Sequence, residues 1–135
     1  MKRTVLIVDD DPKFLTFLSR TLKRAGFQTL TANDGCEARD LLLSRPVDVL
    51  VLDLQMPGMN GWEVLRALRN RPVGAEVLAP GQSRPKVIVV SGRNEDETVS
   101  FVQRLGADAY LSKPFWREQI LATVREVLGS EQAGA

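Results

Sequence analysis

Histidine is absent from this chain of 135 residues. That absence excludes a histidine general base, a histidine metal site and a phosphohistidine within this sequence. Any chemistry must therefore use carboxylate, hydroxyl, lysine or backbone groups. Cysteine is almost absent as well, because Cys36 is the only one. A single cysteine excludes an internal disulfide and is typical of a protein from a reducing compartment.

The sequence also lacks an excess of charge and a long apolar run. The 18 lysine and arginine residues against 17 aspartate and glutamate residues leave a net charge of +1, which gives no general attraction to nucleic acid. No stretch approaches the length of a membrane span, and the short apolar run after Met-Lys-Arg soon meets aspartates, unlike a signal peptide. We therefore predict a cytoplasmic protein without direct nucleic-acid or membrane binding.

The composition is that of one globular domain, with 44% hydrophobic and 26% charged residues. Short apolar runs alternate with helical periodicities, which predicts an α/β fold with a parallel sheet and five flanking helices. The predicted strands are residues 4–8, 28–32, 47–52, 86–90 and 109–111. Asp11 before Pro12 predicts the N-cap of the first helix. We assign residues 1–128 to the domain and residues 129–135 to a flexible tail or linker.

Acids follow two of the predicted strands: Asp9 and Asp10 come after the first, and Asp53 comes after the third. Open parallel sheets bind ligands beyond the carboxyl ends of their strands, so these side chains converge at the usual site position. Clustered carboxylates repel one another, so the site requires either protonation or a bound cation, and Mg²⁺ is the natural oxygen-seeking candidate. Ser91 and Lys113 follow the fourth and fifth strands.

Four short motifs carry these residues. They are Val-Asp-Asp-Asp at 8–11, Leu-Asp-Leu-Gln-Met-Pro-Gly-Met-Asn-Gly at 52–61, Val-Val-Ser-Gly at 89–92 and Tyr-Leu-Ser-Lys-Pro-Phe at 110–115. In this order and strand context they resemble the receiver domain of two-component response regulators, of the chemotaxis-regulator type, from Thr4 to about Leu128. The resemblance implies a doubly wound sheet in the flavodoxin-like order 2-1-3-4-5 and a cis peptide before Pro114.

The resemblance also implies a phosphorylation reaction. Asp53 would accept a phosphoryl group from a histidine kinase or histidine phosphotransfer protein, with Lys113 and Ser91 contacting phosphoryl oxygens. The domain would catalyse only its own phosphorylation and dephosphorylation. Mg²⁺ would be bound by Asp10, Asp53 and the backbone carbonyl of Gln55, and by Asp9 through water.

In the same family, a hydroxyl residue and an aromatic residue form the switch, and these positions match Ser91 and Tyr110. Phosphate on Asp53 would favour a state in which Ser91 donates to it and Tyr110 fills the vacated space, although Tyr110 also fits an ordinary half-buried aromatic. The readout face would comprise the fourth helix, fifth strand and fifth helix, for an unknown output partner or a homodimer. Trp116 lies on or beside that face, either exposed for a partner or partly buried.

Two features depart from the family pattern. Residues Asn70 to Pro85 form a predicted loop with three prolines and two glycines, longer than receivers usually have. This loop should lie at the end of the sheet opposite the carboxyl ends of the strands, away from the site. The second departure is the pair Gln55 and Arg93. In the family that this chain resembles, the residues at these two positions influence how fast the aspartyl phosphate is hydrolysed. Two bulky side chains would hinder the attacking water, so we predict slow hydrolysis.

Two other functions are open at this point. A Mg²⁺-dependent haloacid-dehalogenase-like phosphatase would use Asp9 and Asp11 as nucleophile and acid, but it leaves Asp53 unexplained. A phosphate-independent interaction module leaves the acids, Ser91 and Lys113 all unexplained. The sequence fits either a complete single-domain regulator or one piece of a longer protein.

Overall fold

The computed structural model describes residues 2–54, 63–64, 84–92, 103–104 and 106–132, of which 130–132 are described by backbone alone. Its centre is a parallel five-stranded sheet in the order β2-β1-β3-β4-β5, which confirms the predicted doubly wound α/β fold. The strands are β1 (Thr4–Val8), β2 (Gln28–Ala32), β3 (Val49–Asp53), β4 (Lys86–Ser91) and β5 (Ala109–Ser112).

Three helices are described over their full length: α1 (Pro12–Arg24), α2 (Gly35–Ser44) and α3 (Arg117–Gln132), the last being the fifth predicted helix. The carboxylate of Asp11 caps α1 by accepting from the backbone N–H of Lys13, as predicted. Residues 63–64 and 103–104 are also helical. The sequence predicts a third helix from the spacing of Trp62, Leu65 and Leu68 and a fourth that begins near Glu95, and the rest of both lies outside the described residues.

Apolar side chains alternate between the two faces of the sheet, because successive strand residues point in opposite directions. One face packs against α1 and α3, and its buried residues include Val5, Ile7, Val49, Val51, Ile88 and Val90. The other face packs against α2 and includes Leu6, Val8, Leu50, Leu52, Val87 and Val89. Both faces of the sheet are therefore apolar and covered by helices. The polar groups of a site have room to gather at the ends of the strands.

Strand β3 begins at Val49, two residues later than predicted. The reason lies in Asp48, whose carboxylate accepts from the backbone N–H of Thr4 at 2.8 Å while its own N–H donates to the Thr4 carbonyl at 2.9 Å. The side chain thus replaces one rung of the backbone ladder. At their other ends, β4 and β5 each extend one residue beyond the prediction because Ser91 and Ser112 are paired.

Helix α3 continues to Gln132, although the sequence predicted a flexible tail from Gly129. Glycine ends helices when it adopts a positive φ, as Gly26 does after α1 with φ of 99°, and Gly129 does not. No helix in the described part of the chain is both long enough and apolar enough to cross a bilayer. Of the predicted loop at residues 70–85, only Arg84 and Pro85 are described, and they lead directly into the start of β4.

Candidate functional site at the carboxyl ends of the strands

The sheet reverses its winding direction between β1 and β3, because the chain places β2 on one side of β1 and β3 on the other. Ligands of open α/β sheets bind in the crevice outside such a switch point. Asp9 follows β1 and Asp53 ends β3, so both carboxylates stand at this crevice. Asp9 is 1% exposed and Asp53 is 6% exposed, whereas the neighbouring Asp10 is open to solvent.

Asp9 is held by contacts at its backbone and at both carboxylate oxygens. Its N–H donates to the carbonyl of Ala32, which continues the pairing of β1 and β2 past the end of β1. Its Oδ1 accepts from the N–H of Asp11 at 2.9 Å, and its Oδ2 accepts from Nζ of Lys113 at 2.7 Å. This buried carboxylate is therefore already engaged by the chain itself.

Lys113 brings the positive charge of the site from the far side of the sheet. Its backbone N–H donates to the carbonyl of Ser91 at 2.9 Å, which ties the end of β5 to β4, and the peptide before Pro114 is cis as predicted. Its ammonium group lies 2.7 Å from Asp9 Oδ2 and 3.8 Å from Asp53 Oδ2. Lys113 thus stands between the two buried carboxylates, nearer to Asp9.

Three acidic side chains, Asp9, Asp10 and Asp53, each bring a carboxylate oxygen to within 4.8 Å of the others. The formal charges of these three carboxylates and the Lys113 ammonium sum to −2, and a divalent cation carries the opposite charge. Hard oxygen donors, one of them exposed to water, are the ligands that Mg²⁺ prefers, because this ion keeps part of its hydration shell. The residues present therefore fit a magnesium ion.

Ser91 and Tyr110 lie on the face of the sheet that packs against α2. Ser91 is 1% exposed and continues the alternation of Val87 and Val89, while Tyr110 is half-buried against the same apolar cluster and is paired with Val89. The two predicted switch residues are therefore neighbours on adjacent strands. Gln55 and Arg93, the other residues assigned by resemblance, lie outside the described residues.

One contact at the site was missed in the sequence: the ring of Phe14 lies under the Lys113 ammonium, with Nζ 4.2 Å from its centroid. In the sequence, the spacing of Phe14, Leu15, Leu18, Leu22 and Ala25 predicts only that Phe14 belongs to the apolar stripe of α1. Its place in the first turn of a helix that begins at the carboxyl ends of the strands is the signal that could have pointed to the site.

Two other side chains singled out in the sequence lie at the surface. Trp116, for which the sequence allows either exposure or partial burial, is 75% exposed, and Cys36 is exposed at the start of α2.

The phosphatase alternative needs Asp11 as an acid beside Asp9. In the structure Asp11 is exposed, and its carboxylate accepts from the N–H of Lys13 as the cap of α1. The site instead joins Asp9 to Asp53, a residue that the phosphatase does not use. This geometry disfavours that alternative.

Known proteins show the same fold and the same sequence pattern. Residues 5–125 match the response regulator receiver domain family. Response regulator MprA of Mycobacterium tuberculosis is 37% identical over 128 residues, which cover 95% of this chain and 51% of that protein. The chain spans about half the length of the curated relatives it matches.

Two solved structures extend the comparison. A CheY-like receiver domain protein from Methanospirillum hungatei superimposes with a TM-score of 0.83 at 27% identity, covering 100% of both chains. A response regulator from Burkholderia pseudomallei, solved with a phosphorylated aspartic acid, calcium ion and citrate, has a TM-score of 0.77 at 26% identity, covering 98% of this chain and 72% of that one. On its sequence and its fold, this chain belongs to the receiver domain family of two-component response regulators.

Proposed function

We propose that Asp53 accepts a phosphoryl group and that the chain acts as the phosphorylated switch of a two-component pathway. The observation that carries this proposal is the Lys113 ammonium between two buried carboxylates, 2.7 Å from Asp9 and 3.8 Å from Asp53. In the transfer, a carboxylate oxygen of Asp53 attacks the phosphorus of a phosphohistidine. The new O–P bond forms as the P–N bond breaks, and the histidine leaves as part of the donor.

The donor histidine lies outside this sequence, which contains none. We assign it to a histidine kinase or a histidine phosphotransfer protein, as the family membership implies in general terms. We assign the whole event to the cytoplasm.

Asp53 is a better acceptor than Asp9 because Asp9 is already held by the chain and the Asp53 side chain is more exposed. Both oxygens of Asp9 accept hydrogen bonds, one from Lys113 and one from the start of α1. The Asp53 side chain is 9% exposed against 1% for that of Asp9, and its Oδ2 is beyond hydrogen-bond distance of Lys113. A phosphoryl group on Asp53 would then offer Lys113 a nearer anionic partner. The response regulator from Burkholderia pseudomallei was solved with a phosphorylated aspartic acid, which supports this kind of modification here.

Asp10 and Asp53 are the residues we assign as direct ligands of Mg²⁺, together with the predicted carbonyl of Gln55. One carboxylate oxygen of each of the three aspartates lies within 4.8 Å of the others, so the three side chains are close enough together to hold one ion. Contact through a water molecule suits Asp9, whose oxygens are already engaged. When bound, the ion neutralises the charge that builds up between the carboxylate and the phosphoryl oxygens.

Ser91 and Tyr110 carry the signal in this proposal. They share one face of the sheet on adjacent strands, so a shift of the Ser91 side chain toward phosphate changes the space beside Tyr110. The readout face then includes β5 and α3, and the exposed Trp116 lies immediately before α3. We assign residues 1–128 to the receiver and residues 129–135 to a tail or linker, of which residues 129–132 continue α3.

The deciding experiment is incubation with Mg²⁺ and acetyl phosphate, followed by intact-protein mass spectrometry. We expect one phosphoryl adduct on the natural chain and none on Asp53→Asn. Asp48→Asn is the matched control, because Asp48 also adjoins β3 but lies at its opposite end, and its adduct should form normally. An adduct that persists in Asp53→Asn would overturn the assignment of the acceptor.

The same preparations separate the alternatives. Steady turnover of phosphate esters that Asp9→Asn abolishes would favour the phosphatase. Absence of both adduct and turnover, with Mg²⁺ binding intact, would favour a phosphate-independent interaction module.

A further inference from the structure

We propose that Phe14 is a positioning residue that holds the ammonium group of Lys113 between Asp9 and Asp53. The inference concerns an aromatic side chain that no expected step of the phosphorylation reaction uses. It rests on the proposed function only for its consequence, because the contact itself exists in the unphosphorylated protein. Its consequence is that removal of the ring slows transfer to Asp53.

The geometry places Lys113 against a ring face on one side and a carboxylate on the other. Nζ lies 4.2 Å from the centroid of Phe14 and 2.7 Å from Asp9 Oδ2. An ammonium within about 6 Å of a ring centroid and over its face is attracted by the negative face of the π system. The lysine side chain is still 28% exposed, so part of it remains open to solvent.

Phe14 is itself fixed from two directions. It belongs to the first turn of α1, whose start is held by the Asp11 cap and by the hydrogen bond from Asp11 to Asp9. Its ring meets that of Phe115 edge to face, with centroids 5.7 Å apart and planes at 78°. Lys113 and Phe115 therefore both contact one ring from the same short segment after β5.

This support matters because lysine is flexible. Its four-carbon stem and rotating ammonium lose rotamer freedom when they are held in one place. The hydrogen bond to Asp9 fixes one donor, but it also draws the ammonium away from Asp53. A ring below the ammonium limits the stem to conformations in which the other donors face the crevice. If Phe14 only filled space in the core, the charge distribution of its ring would have no effect on Lys113.

The test replaces Phe14 with phenylalanine carrying one, two or three fluorine atoms, which weakens the negative face of the ring with little change of shape. Phe14→Leu removes the ring, and Phe14→Tyr keeps it. Two readouts are made on the full chain: the NMR relaxation of the Lys113 side chain without phosphate, and the rate of phosphorylation by acetyl phosphate with Mg²⁺. Fluorination of Phe27, which packs against the same face of the sheet at the far end of α1, is the matched control.

We expect Lys113 to become more mobile and phosphorylation to slow with each fluorine, by about 2- to 5-fold at the end of the series, as for a partly exposed cation–π pair. Phe14→Leu should match the trifluorinated ring, and Phe14→Tyr should match the natural chain. Unchanged mobility and rates across the series would overturn the inference. If even the natural chain forms no adduct, the proposed function fails, while the relaxation data still decide whether Phe14 positions Lys113.

Discussion

The two ends of the sheet use aspartate in opposite ways. At the amino ends of the strands, Asp48 and Asp108 each come immediately before a strand. Each makes the same pair of contacts with the neighbouring strand: the Asp48 carboxylate and N–H bond Thr4, and those of Asp108 bond Val87. Here each carboxylate takes the place of a backbone carbonyl in the hydrogen bonding between neighbouring strands.

At the carboxyl ends, three aspartates crowd together instead of spreading out. Asp9 and Asp53 are buried, and they share one ammonium group with the exposed Asp10 nearby. The formal charges of these four groups sum to −2. The same residue type therefore pairs with the backbone of a neighbouring strand at one end of the sheet and gathers into a cluster of acidic groups at the other.

Lys113→Met should give the largest change in stability. It leaves Asp9 buried without its cation, so the free energy of unfolding without Mg²⁺ should fall by about 2 kcal/mol, less than for a wholly buried pair because Lys113 is 28% exposed. Added Mg²⁺ should restore part of the loss. Urea denaturation with and without the ion measures both effects. Lys13→Met, at an exposed lysine for which the described residues offer no ion pair, is the control and should change little.

Asp53→Asn should have the opposite sign. Removing one of three close negative charges relieves repulsion, so the free energy of unfolding without Mg²⁺ should rise by about 1 kcal/mol. The same substitution should weaken Mg²⁺ binding, which isothermal titration calorimetry measures. A protein that is less stable without Mg²⁺ would show that the cluster is not repulsive.

Asp48→Ala sharpens the contrast from the other end of the sheet. It removes the acceptor for the N–H of Thr4, so unfolding should become easier by about 1 kcal/mol, independently of Mg²⁺. Asp108→Ala should cost less, because Asp108 is more exposed than Asp48. A Mg²⁺-dependent effect at either residue would mean that the two ends of the sheet are coupled.

Asp11→Asn should have the smallest effect, under about 0.5 kcal/mol, because asparagine caps a helix as well as aspartate does. Adduct formation from acetyl phosphate should also proceed at its normal rate. If the adduct no longer formed while circular dichroism showed an intact helix, Asp11 would have a role in the reaction. That result would favour the phosphatase alternative.

Most of the fold follows from the sequence, because buried parallel strands require continuous apolar runs such as Val49 to Leu52. The errors lie where one polar side chain replaces a backbone partner. Asp48 resembles a solvated turn residue until the register of β1 and β3 shows that its carboxylate pairs with Thr4. Only the three-dimensional register contains that information.

The candidate site was predictable to the level of which residues meet, and no further. Strand order places Asp9, Asp53, Ser91 and Lys113 at one edge of the sheet whatever their rotamers are. The preference of Lys113 for Asp9 over Asp53 depends on side-chain distances, which no spacing reveals. Phe14 was missed because an apolar residue on an apolar stripe gives no sign that its ring faces a charge.

The contact between Lys113 and Asp9 joins residues 104 positions apart. During synthesis, Asp9 is made long before the lysine that neutralises it, and β1 is destined for the centre of the sheet. The nascent chain must therefore keep this carboxylate hydrated until β5 emerges, and the crevice can close only then. The order of translation thus makes the candidate site one of the last parts of the domain to assemble.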